Sequence, residues 1–141
     1  MSFARKPLAA AGIVVALATA AFAHSFKLGA IEIGHPWMPP ASGATATVNF
    51  ALANQGTELD RLVGAATPIG QAALLDAAEA PMNEIPLMPH RPIALRAGHP
   101  HVALSGLAKP LAAGASFPLT LQFAKAGAIT VTVLVEAVPS D

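Results

Sequence analysis

Apolar residues in this chain recur at every second place in short runs, and nowhere is a helical period sustained over three turns. The runs are "KLGAIEIGHPW", "ATATVNFALAN", "DRLVGAA", "QAALLDA", "IALRAG", "HVALSGL", "FPLTLQFA" and "ITVTVLVEAV". Thirteen prolines and eleven glycines, with Asn and Asp, fall largely between them and mark turns. A period of two puts alternate side chains on opposite faces, so each run buries one face only and needs a second layer to cover it. The pattern predicts an all-β sandwich or barrel.

The clearest strands are 45–53, 117–124 and 129–137, and "AKAGAI" (124–129) reads as a hairpin turn carried by Gly127. Alanine-rich "IGQAALLDAAEA" is open between strand and short helix. With 141 residues, no internal repeat and no linker, the chain holds one domain with enough sequence to bury a core.

The first segment, "MSFARKPLAAAGIVVALATAAFAHS", places Arg5 and Lys6 before an uncharged apolar run that ends in "AFA". This is the pattern of a secretory signal peptide, with residues 1–23 removed and residues 24–141 forming the mature domain, expected in the periplasm with no membrane span after cleavage. The alternative is an uncleaved membrane anchor, since the apolar run is almost long enough to span. Cleavage after Ala23 would make His24 the first residue, and its α-amine and imidazole together can chelate Cu(II). Cysteine is absent, which removes disulfides and thiolate metal sites.

Charge narrows the partners. Eight Lys+Arg balance eight Asp+Glu, with no basic or acidic run, so nucleic acid is not expected as a partner. Catalytic motifs are missing too: there is no tyrosine, no phosphate-binding glycine loop, no nucleophile elbow and no HExxH helix. Ser105 near His101 offers a hydrolase pairing without an oxyanion donor, and no enzyme is expected.

What remains is a histidine concentration. "LMPHRPIALRAGHPHVAL" (87–104) holds His90, His99 and His101, three of the five histidines in the chain. In an extended segment His99, His101 and Ala103 would share a face, although Pro100 favours a strand start that leaves His99 in the preceding turn. His35, before Pro36 and Trp37, reads as holding the amino-terminal strand, and Trp37 as core.

The order of motifs resembles the PCu(A)C family of periplasmic copper chaperones. "IEIGHPWMPPASGATATVNFALANQGTELDRLVGAATP" is similar to that family's opening, and "HVALSGLAKPLAAGASFPLTLQFAKAGAITVTVLV" to its closing strands. The resemblance covers nearly the whole mature domain. It implies a Greek-key, cupredoxin-like β-sandwich that binds Cu(I) and passes it to the copper centre of cytochrome oxidase, alongside a Sco-type partner.

The family's ligands are a His, a downstream Met and a closing His-x-Met; soft Cu(I) favours thioether with imidazole. Carried over by position, the first His falls at Asp76, the Met at Met88 with Met82 as a rival, the closing His at His101, and the final Met at Ala103. Two of the four types are replaced. A set of His101, His99, His90, Met88 and Asp76 is harder than the family's own and suits Cu(II) or Zn(II) better than Cu(I). The expected activity is copper binding with altered ligands; the alternative is a metal-free sandwich acting as a protein-interaction module in copper-protein assembly.

Overall fold

The computed structural model describes residues 25–137. Ten strands follow one another: β1 Ser25–Leu28, β2 Ile31–Met38, β3 Ala46–Asn54, β4 Asp60–Ala66, β5 Gln71–Leu75, β6 Ile85–Leu87, β7 Ile93–Leu95, β8 His101–Ser105, β9 Ser116–Phe123 and β10 Gly127–Val135. Among the described residues there is no helix, and none that could cross a membrane. The alanine-rich stretch is a strand, β5, followed by a turn. Neither residues 1–23 nor His24 lie within the described residues.

The strands hydrogen-bond in the order β5-β8-β3-β2-β10-β9-β4-β6, with β1 on β2 and β7 on β3. All pairings between strands are antiparallel except β2 with β10, where Leu134 meets Trp37 and Val135 meets Met38. That parallel pair brings the last strand beside the second, the Greek-key crossover of a cupredoxin-like sandwich. A parallel bridge from Asn54 to Pro89 ties the segment after β6 back to β3 and curls the sheet towards closure.

Period-two alternation builds the core. Phe117, Leu119, Leu121 and Phe123 of β9 share the buried face of the sheet with Val131, Val133 and Val135 of β10, and each is at most a few per cent exposed. At about 25 cal/mol per Å², burying a side chain of this size contributes about 1.5–3 kcal/mol, so this hairpin is a principal source of stability. Its turn residue Gly127 has φ 97°, in the region that glycine adopts without steric cost. Gly70 is required for a different reason: a β-carbon there would lie 2.6 Å from the carbonyl oxygen of Ser105.

In β2 the alternation changes phase. Ile31 and Ile33 point inward, yet further on it is Pro36 and Met38 that are buried. The register with β3 shifts between Gly34 and Trp37, and His35 sits in the shift with φ 45°. An extra residue at a bulge turns every later side chain over. Trp37, expected in the core, is therefore only half-buried and stands on the outer face.

Candidate metal site

β8 starts immediately after Pro100, so His101 is the first residue of the strand. Val102 and Leu104 go into the core, which sends His101 and Ala103 to the other face. His101 is nonetheless fully buried. It pairs with Leu75 of β5 on one side; the β3–β8 register, continued one step beyond Val48↔Val102, sets Asn49 on the other, with Trp37 opposite Asn49. Leu75, His101, Asn49 and Trp37 thus form a row across four strands on the outer face.

The ring of His101 is fixed at one nitrogen. Nδ1 lies 2.7 Å from the carbonyl oxygen of His99. A carbonyl only accepts, so Nδ1 carries the hydrogen, and in the neutral ring Nε2 keeps its lone pair. Nε2 is buried and makes no hydrogen bond. Its nearest charged neighbour is Glu79, whose Oε2 is 3.4 Å away without hydrogen-bond alignment.

Glu79 comes from the turn after β5. Asp76 organises that turn: its Oδ1 accepts the N–H groups of Ala78 and Ala80, both at 2.9 Å, its carbonyl accepts the N–H of Glu79, and its own N–H donates to the carbonyl of Ala80. This is the local side-chain-to-backbone bonding by which Asp stabilises turns. Asp76 therefore stands one residue past the partner of His101, with one carboxylate oxygen engaged by backbone.

The other predicted ligands are spread out. His99 is exposed, its N–H donates to the carbonyl of Arg96, and it lines a cavity with Ile85, Pro86, Ile93, Leu95 and Pro100. It is the backbone of His99, through its carbonyl, that holds His101. Met88 is half-exposed, and His90 is exposed at φ 60°, its N–H bonded to the carbonyl of Asn54. Val48 beside Val102 and Asn54 beside Pro89 mark positions roughly 20 Å apart along β3 at the rise of an extended strand. Met88 and His90 belong to one end of that strand, His101 and Asp76 to the other. Met82 packs partly buried against the core. Among the described residues no three His, Cys, Asp or Glu side chains converge as a ready-made cage.

A second polar locus lies where β1 begins. His35 Nε2 is 3.0 Å from Glu136 Oε1, and Ser25, the first described residue, pairs with Gly34, the neighbour of His35. His35 is thus engaged with the carboxyl-terminal end of the sheet as well as standing beside the amino-terminal strand.

The buried polar groups elsewhere are structural. Asp60 receives the N–H of Arg61 and Lys125 at Oδ1 and that of Ala126 at Oδ2. Asn54 donates to the carbonyls of Glu58 and Leu87 and accepts from Gly56. Sequence reading missed Glu79. The only trace of it is Asp76 followed by small residues in "DAAEA", an Asx-turn pattern that positions the fourth residue.

Comparison with known proteins agrees with this architecture. The LpqE-like family model matches residues 31–135. The solved copper-bound PCuAC domain from PmoF2 is 30% identical, with 82% of this chain and 99% of that one covered at a TM-score of 0.72. The apo PCuAC domain from PmoF1 is 28% identical, covering 82% and 100% at 0.74. The solution structure of Cu(I)-DR1885 from Deinococcus radiodurans, 24% identical and covering 81% of each chain at 0.56, shares the fold. No curated protein sequence matches significantly. The chain belongs to the LpqE-like family and has the fold of the PCuAC domain.

Proposed function

We propose that this chain is an exported copper-binding protein of the chaperone type, carrying the ion as cargo and catalysing nothing. The observation that supports the reading most directly is His101. A histidine at the family's closing ligand position is oriented through Nδ1 by a backbone carbonyl, and its Nε2 is buried without a hydrogen-bond partner. A carbonyl on one ring nitrogen, leaving the other bare, is the usual arrangement of a metal-ligating histidine. The copper-bound state of the PmoF2 domain and the Cu(I) state of DR1885 are consistent with copper as the cargo.

Export follows from the signal-peptide pattern and fits a family described as lipoproteins. By that pattern the chain enters the periplasm with residues 1–23 removed. A Sco-type protein or a cytochrome oxidase subunit is the proposed recipient, by family resemblance.

The amino-terminal locus favours a second copper position. Cleavage after Ala23 would free the α-amine of His24, the residue before Ser25, and Ser25 pairs with Gly34, the neighbour of His35. Amine, imidazoles and the Glu136 carboxylate make a hard set suited to Cu(II).

The test uses protein beginning at His24, loaded separately with Cu(I), Cu(II) and Zn(II) and desalted. Near one copper per chain is expected at the His101 locus, and a second Cu(II) that is lost when one extra residue precedes His24. Retention of no metal would replace this reading with the metal-free interaction module.

A further inference from the structure

Resting on the copper reading of His101, we propose that Glu79 is a ligand of the same ion, so that His101 Nε2 and Glu79 Oε2 together take Cu(II). Three observations carry it. The first is chemical. Nε2 is buried without a hydrogen bond and faces a carboxylate oxygen at 3.4 Å, so the two acceptor atoms are placed to share one cation, a metal ion or a proton on the ring. The second is metric. With bonds of about 2.0–2.2 Å to nitrogen and oxygen and an angle between a right angle and the tetrahedral one, two ligands of one ion stand about 2.8–3.6 Å apart. The observed separation meets that condition and lacks the alignment of a hydrogen bond.

The third is conformational. Glu79 has φ 68°, a left-handed conformation that non-glycine residues rarely adopt, and it is held there by the Asp76 turn. Turn geometry alone would be served better by glycine. A strained residue placed beside a buried nitrogen that makes no hydrogen bond is the pattern of a functional group held in place.

The pair differs in character from a thioether site. Imidazole with carboxylate is a harder set, favouring Cu(II) over Cu(I). The Glu79 side chain is 63% exposed, so the remaining coordination positions open to water and to ligands of a recipient. An ion held by two protein ligands on an open side is suited to being handed on.

The experiment compares wild-type protein with Glu79→Gln, which keeps the size and polarity of the side chain, and Glu79→Ala. Cu(II) affinity is measured by chelator competition, Cu(I) affinity likewise under reducing conditions, and the Cu(II) sites by electron paramagnetic resonance. Both variants are expected to lose Cu(II) affinity by about tenfold or more at the His101-dependent site, with an altered spectrum. Their Cu(I) affinity should stay within about threefold of wild type. Unchanged Cu(II) affinity and spectrum in Glu79→Gln, with copper still lost in a His101 variant, would overturn the assignment of Glu79 and leave the copper reading standing. Copper that is insensitive to both Glu79 and His101 but lost on His35→Ala would overturn it as well, placing the ion at the amino-terminal locus. Wild-type protein that retains no copper would overturn both readings together.

Discussion

The Nδ1 of His101 donates to the carbonyl oxygen of His99 at 2.7 Å, across the proline that precedes β8. The backbone of one histidine thereby sets the ring of the next. This separates the structural job of His101 from the ligand role proposed for it, because each uses a different nitrogen. Asparagine at 101 places its amide nitrogen near the Nδ1 position and has nothing at Nε2. His101→Asn is therefore expected to keep the hydrogen bond, cost about 1–2 kcal/mol for the smaller volume, and abolish copper retention at this site. Urea unfolding together with metal analysis after desalting checks both halves.

Glu79→Gly is expected to move stability and binding in opposite directions. Glycine populates φ 68° without steric cost, so the variant should unfold about 0.5–1 kcal/mol later than wild type while losing Cu(II) affinity. A chemical denaturation midpoint that falls would show that the carboxylate itself stabilises the metal-free fold, through an ion pair with His101 stronger than its alignment implies.

Asp60 joins the start of β4 to the β9–β10 hairpin turn through three backbone N–H groups and is 5% exposed. Removing the carboxylate strands those donors in a site too closed for full hydration. Asp60→Ala should cost about 2–4 kcal/mol in denaturant unfolding, without changing copper stoichiometry, because it lies away from His101. A loss below about 0.5 kcal/mol would mean that water replaces the side chain.

The neighbouring ion pair, Lys125 Nζ to Glu58 Oε1 at 2.9 Å, should matter far less. The hydrogen bond and charge of Lys125 hold the Glu58 carboxyl below its usual value. A lowered folded value means that the stabilisation is present above the ordinary carboxylate range and is lost as pH falls through the folded value. Both groups are well exposed and screened, so Glu58→Gln should differ from wild type only slightly, above that range and at low salt. In about 0.5 M salt the two denaturation profiles should superimpose.

The fold was legible because period two needs only the local sequence: strands expected at 45–53, 117–124 and 129–137 lie at 46–54, 116–123 and 127–135. Trp37 was misplaced because the bulge around His35 reverses the phase of β2, and a bulge shows in pairing rather than in composition. The site was harder to read for the same kind of reason. Histidines close in sequence, His90 and His101, are held at distant positions on β3, whereas Glu79 and His101, far apart in sequence, meet because Leu75 pairs with His101 and the Asp76 turn follows at once. Sequence spacing reports proximity along a strand but not across strands.

Ala103 tests whether the softer site of the wider family can be rebuilt on this frame. It lies two residues from His101 on the same face of β8, and its cross-strand partners there are Ala73 of β5 and Thr47 of β3. Both partners are small, and Ala103 is only partly buried, so an unbranched methionine can extend over them towards His101 without displacing the core. A thioether beside Nε2 stabilises Cu(I) more than Cu(II). Ala103→Met should therefore raise Cu(I) affinity by about tenfold and lift the reduction potential of bound copper, with denaturation unchanged within about 1 kcal/mol. Combined with Glu79→Gln, it should turn the proposed Cu(II) preference into a preference for Cu(I), since the hard ligand is removed as the soft one is added. Chelator competition in both oxidation states measures the exchange. Methionine at 103 that alters neither affinity would mean that the sulfur does not reach the ion at His101.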